Sequence, residues 1–288
     1  MTMKTLTYTD ELYHHGILGQ KWGKRNGPPY PLDPSDRSAA EKRLASDSFT
    51  AYRESSVKIH TNSDGSKTLP KGFVLNRVGK DTMDIKTNPS GGLYVSYGKS
   101  DAARYVKIYG PDLLNTLFHN TREAIQHISV QKSLRLASDE QFVSSIGEYL
   151  NANPDFSKRL QADSFYGMYL DKKETKLTSE NIERMIRDPS NLYSKQIAWS
   201  VNTMFIDQDN RLEDVKSIYE YFRKKGFDAI PDLHDTWDST SETAMIIINP
   251  SKLRITETTR MTKDIFKAGK EYVKTLEPIP VSEAVKSL

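Results

Sequence analysis

Three residues of this 288-residue chain combine a reactive side chain with a telling position. Glu242 stands at a junction. A polar loop, 232–241, precedes it with three Asp, one His and one Trp, and a wholly apolar run, 244–248, follows it and ends at Asn249-Pro250. A carboxylate at the mouth of a buried strand can stabilise developing positive charge or hold a sugar hydroxyl. Arg77 closes an earlier apolar strand that begins at 73, and its planar fork suits phosphate or carboxylate. Ser96 lies inside the next strand, 93–97, where its hydroxyl can hold such a geometry by hydrogen bonding. Together the three suit a ligand with a pyrophosphate at one end and a ribose at the other.

The elements that must position them follow from periodicity. Strands are expected in two groups, 57–97 and 227–256, with helices between them. Ser138 and Gln141 form a capping box for a helix that places Phe142, Val143, Ile146, Tyr149 and Leu150 on one face. Residues 211–225 read as an amphipathic helix stopped by Gly226, and 151–210 as mainly helical. Residues 128–136 read as one strand, and Ser100-Asp101 as the cap of a helix carrying Ala102, Ala103, Tyr105 and Val106. Ser38 and Glu41 fit a second capping box for a short helix through Leu44, and a last helix is expected at about 261–275. The division is an N-terminal arm, 1–48, an α+β domain, 49–258, with a helical insert at about 109–225, and a C-terminal helical tail, 259–288.

Composition narrows the chemistry. With no Cys, disulfides, zinc–thiolate sites and thiol catalysis are excluded. The net charge of +3 and the lack of long basic runs give no strong nucleic-acid signal. No apolar run approaches the length of a membrane span, and no secretory leader is visible, so a soluble protein made and kept in a cytoplasm is expected. Asp232, Asp235 and Asp238 lack the spacing and the Gly of a calcium loop and are expected to be solvated, with His234 an ordinary loop residue. His14-His15 has no third ligand placed beside it, so no metal is expected.

The ordered segments GFVLNRV, GGLYVSYGKSDAARY and KGFDAI…SETAMIIINP resemble the Arg–Ser–Glu class of ADP-ribosyltransferases over roughly 70–108 and 222–256. The resemblance implies a split-sheet core and NAD as substrate. It gives Arg77 the NAD phosphates, Ser96 the support of the nicotinamide pocket, and Glu242 the ribose and an oxocarbenium-like transition state. Tyr94, Tyr97 or Tyr105 would stack on the nicotinamide, and Trp237 would be the aromatic of the substrate-recognising loop. The family's Ser-Thr-Ser strand is here Val95-Ser96-Tyr97. Thr240 stands where arginine-modifying members carry Glu or Gln. Transfer to another acceptor, NAD hydrolysis and a site without chemistry are the open alternatives.

The segment LYHHGILGQKWGKR is similar to the H-H-G-x-x-G-x-K-W-G peptide of many tailed-phage proteins encoded among head genes. With four Gly and three Pro in 14–32 it reads as a flexible arm anchored by a few apolar residues. Ile17, Leu18, Lys21 and Trp22 would dock it to a capsid or portal protein. A virion protein follows, acting in the host cytoplasm after ejection on a host acceptor, or serving as an inactive module of the head.

Overall fold

Short apolar runs punctuated by Gly, Asn and Pro can build only short strands, and the structure uses them in two sheets. The computed structural model describes residues 34–111, 122–163, 167–206 and 208–287. A six-stranded sheet is made of β1 (His60–Thr61), β2 (Lys67–Leu69), β4 (Leu93–Val95), β6 (Leu134–Leu136), β7 (Ala229–Pro231) and β8 (Met245–Ile247), in the order β1-β2-β6-β7-β8-β4. A three-stranded antiparallel sheet is made of β3 (Val74–Gly79), β5 (Ala124–Val130) and β9 (Leu253–Arg260), in the order β3-β5-β9. Within the larger sheet only β6 and β7 run parallel. Among the described residues the strands of the two sheets are hydrogen-bonded through the isolated bridge between Asn76 and Ser96, with N–H···O distances of 2.8 and 3.0 Å.

Helices cover both sheets. They are α1 (Pro34–Ser48), α2 (Lys99–Tyr109), α3 (Asp139–Ala152), α4 (Pro154–Gln161), α5 (Ser179–Arg187), α6 (Leu192–Thr203), α7 (Gln208–Lys224), α8 (Leu233–Trp237), α9 (Lys263–Lys274) and α10 (Glu283–Lys286). The capping box expected at α3 is formed: the Ser138 hydroxyl accepts from the Gln141 amide at 3.2 Å, and Gln141 accepts from the Ser138 amide at 3.0 Å. The apolar face of α3 is buried against α7, with the Phe142 and Phe222 rings stacked at 5.3 Å. Each such large side chain contributes about 1.5–3 kcal/mol by leaving water. Gly226 ends α7 at φ +83°, a conformation open to Gly without strain.

Two further apolar clusters hold the sheets. One lies between them and includes Leu75, Leu93, Val95, Ile128, Met245 and Ile247. The other joins α2 to Phe49, Ile125 and the apolar side of α9. Gly110 permits the second, because a Cβ there would lie 2.1 Å from Phe266 and 2.5 Å from the Val106 carbonyl oxygen.

The α+β class holds, and several boundaries differ from those expected. The run read as one strand over 128–136 is two, β5 and β6, which turn at residues 131–133 and enter different sheets. Residues 124–136 therefore belong to the sheet core, and the helices of the insert follow them. α1 begins at Pro34, four residues before Ser38, so Ser38 does not start that helix. Gly98 rather than Ser100 caps α2. The loop 232–241 contains α8, and β9 runs on to Arg260.

Candidate functional site

Glu242 owes its position to helix α2. Asp101, Arg104 and Tyr105 fall on one side of that helix, at spacings of three and four residues, and face the segment 232–243. The Asp101 carboxylate is buried, at 1% exposure. It accepts from the Ser241 hydroxyl at 2.7 Å, from the Glu242 amide at 3.0 Å, and from the Thr243 amide and hydroxyl at 2.8 and 2.6 Å. Arg104 donates to Asp101 at 3.4 Å, to the Glu242 carboxylate at 3.3 Å and to the Glu277 carbonyl at 3.1 Å. The Glu242 side chain remains 59% exposed at the rim. Its carboxylate is therefore oriented by the protein and open to solvent.

Ser96 lies close by along the sheet. β4 pairs with β8 through Val95 and Met245, and Thr243 continues that pairing by accepting from the Tyr97 amide at 2.9 Å. Arg77 follows Asn76 on the strand bridged to Ser96. Arg77, Ser96 and Glu242 thus occupy three neighbouring chain segments, about 10 Å across at the usual strand spacing. The side chains of Asn76 and Arg77 diverge, because successive residues of a strand point to opposite faces. Asn76 turns toward Arg53 and His127, whereas Arg77 donates to the Lys86 carbonyl at 3.0 Å and to Gln126 at 3.4 Å. Arg77 forms no ion pair with Glu242, which takes Arg104 instead. Among the described residues no carboxylate pairs with Arg77. Burial, and the Arg122 charge beside it, press its pKa downward.

The tyrosines divide between two faces. Tyr97 stands edge-on to Phe73, at 5.5 Å, in the cluster between the sheets. Tyr94 donates to the Phe205 carbonyl at 2.9 Å, on the helical side. Tyr105 donates to Asp235 at 2.5 Å and stacks on Tyr109, 6.3 Å away. Burial, with Asp232 and Asp235 nearby, raises the pKa of both Tyr94 and Tyr105 well above the ordinary phenol value. Arg122 lies over the Tyr109 ring at 5.5 Å.

The acidic segment differs from the solvated loop expected of it. Asp232 is 4% exposed, and burial beside the Asp235 charge pushes its pKa up to about 7. His234 is stacked on Trp199 and lies 3.3 Å from Asp235 and 3.4 Å from Asp238. Its hydrogen bond to Asp235 raises its pKa. Trp237, expected on an open loop, is 8% exposed within the helical core, because α8 turns it inward. Thr240 is half-buried, and its amide donates to the Asp235 carbonyl at 3.0 Å. Ile17, Leu18, Lys21, Trp22 and the His14-His15 pair lie outside the described residues.

Sequence reasoning missed Asp101 and Arg104 as site residues. Their signal is an Asp-x-x-Arg spacing on a short helix after Gly98, which has meaning only once residues 241–243 are seen against it. An open depression of about 500 Å³ between residues 83–87 and 250–255 shares no lining residue with the Glu242 site. Among the described residues no group of three or more His, Asp and Glu side chains is placed to hold a metal, and no helix is long and apolar enough to cross a membrane. No family model, no curated protein and no solved structure matches the chain.

Proposed function

We propose that this chain is a phage virion-associated, ADP-ribosyltransferase-like protein that cleaves the nicotinamide–ribose bond of NAD and transfers ADP-ribose to a host acceptor. The observation that carries the proposal is the Glu242 carboxylate, held at an open rim by Asp101 and Arg104 on the segment next to Ser96 and Tyr97. An oriented carboxylate stabilises the positive charge that develops on the ribose as the C–N bond breaks. Nicotinamide departs with the bonding electron pair, and the acceptor nucleophile forms the new bond to the ribose carbon and loses its proton. Arg77, with Arg122 as its charged neighbour and no acidic partner among the described residues, suits the pyrophosphate. Tyr105 stands on the same helix as Asp101 and Arg104 and brings an aromatic ring to the same segment.

The direct test is nicotinamide release from NAD by the wild-type protein beside Glu242→Gln. Release by the wild type alone supports the proposal, and equal release by both removes Glu242 from the chemistry. The docking role proposed for residues 1–48 is tested by deleting residues 1–35 and assaying purified particles for the protein. Its retention in the particle would rule that role out.

A second proposal has the same domain serve as an inactive structural or interaction module of the head. Arg77 already spends hydrogen bonds on Lys86 and Gln126, and Glu242 on Arg104, which favours it. Sustained NAD cleavage by the purified chain excludes this reading.

A further inference from the structure

We infer that Asp101 is the positioning residue of the site: it fixes where the Glu242 carboxylate stands, through the backbone of the turn that carries it. For its catalytic consequence the inference rests on the function proposed above. A carboxylate offers about four lone-pair sites for hydrogen bonds. Asp101 directs its own at one turn, the amides of Glu242 and Thr243 and the hydroxyls of Ser241 and Thr243, with Arg104 as a further donor. A buried carboxylate is costly unless so satisfied, so the turn and the charge hold each other in place. Arg104, one helical turn on, then holds the far end of Glu242. Backbone and side chain of a single glutamate are thereby gripped from the same helix.

The grip also explains the shape of the rim. The turn follows Ser239, whose φ of +68° is unusual for a residue with a side chain. Residues 239–241 would gain freedom without the anchor at Ser241 and beyond. Glu242 itself is exposed and has little packing to fix it.

Asp101→Asn tests the inference, with Ser241→Ala as a milder variant that removes one donor and keeps the buried carboxylate. Asparagine replaces an accepting oxygen by a donating amide that faces other donors. Amide hydrogen exchange at Glu242 and Thr243 should quicken in Asp101→Asn while α3 and α7 stay protected. If the wild type releases nicotinamide, kcat of Asp101→Asn should fall about a hundredfold, because small misplacements of a catalytic group are that damaging. KM should stay within about threefold, since Asp101 touches the turn and Arg104 rather than the ligand and acts through a transition-state contact. Ser241→Ala should move kcat in the same direction by less. A role in stability alone would lower the melting temperature without separating kcat from KM. Unchanged exchange at Glu242 and Thr243, or unchanged kcat, overturns the inference. If the wild type releases no nicotinamide, the function proposed above fails, and exchange alone decides whether Asp101 sets the turn.

Discussion

The Tyr105 hydroxyl donates to the Asp235 carboxylate across the gap between helix α2 and helix α8, and so fixes a negative charge three residues from the fully buried Asp232. Asp232 answers by holding its proton up to about pH 7, whereas the ordinary value is 3.8. Folding therefore takes up a proton between these values, and stability falls as pH rises through that window. His234 acts in the same direction. Its raised pKa gives stability that is complete below its ordinary value of 6.5 and is lost as pH rises through the folded value. Asp232→Asn should remove most of this slope, up to about 4 kcal/mol between pH 4 and pH 8. Urea denaturation at pH 5 and pH 8 measures it, and equal slopes in wild type and variant would refute the assignment.

His127 predicts the opposite limb. Its ring joins all three strands of the smaller sheet: Nδ1 meets Asn76 on β3, and Nε2 meets Thr259 on β9, both at 2.9 Å. Because the Asn76 amide nitrogen donates to Arg53, its oxygen accepts from His127, so the neutral ring carries its proton on Nδ1. Burial lowers its pKa to about 4. The associated stability is present above the ordinary value of 6.5 and is lost as pH falls toward 4, by about 3 kcal/mol. Nitrogen-detected NMR of the imidazole should show the Nδ1–H form until pH nears 4. A ring that titrates near 6.5 in the folded protein would contradict this.

Gly110→Ala should destabilise the protein by about 1–3 kcal/mol, since the new methyl meets both the Phe266 ring and the rigid Val106 carbonyl. The damage should appear as loosening of α9 from α2, read as faster exchange across residues 263–274. A thermal midpoint equal to that of the wild type would show that the helices can separate freely.

Arg77→Gln separates two roles. Without the guanidinium, residues 80–87 lose their tie through the Lys86 carbonyl. If Arg77 also holds the pyrophosphate, NAD affinity should drop about tenfold to a hundredfold by calorimetry, the worth of one charge-assisted contact. Unchanged affinity with a loosened loop would make Arg77 a structural tie alone.

Much of the frame was legible because it rests on local patterns. The Ser138–Gln141 box, the apolar face of α3 and the Gly226 stop are all decided by neighbours within a few residues. The junction at Glu242 was legible for the same reason, as a change from polar to apolar residues. What escaped was set by partners far along the chain. Asp232 looks like any loop aspartate until the fold buries it beside the Asp235 charge. Trp237 looks like a loop tip until α8 turns it inward. Asp101 looks like a helix cap, and its work is done on residues 241–243.

The placing of β4 has a consequence in time. Its ladder partner is β8, and the isolated bridge from Ser96 to β3 is too little to hold it alone. During synthesis the segment bearing Ser96 leaves the ribosome about 150 residues ahead of residues 245–247, and closing so long a loop is slow. The α3–α7 layer can condense while that segment waits. The two halves of the site then meet only after residues 245–247 have emerged, so a chain that stops short of them carries a helical layer and no assembled site.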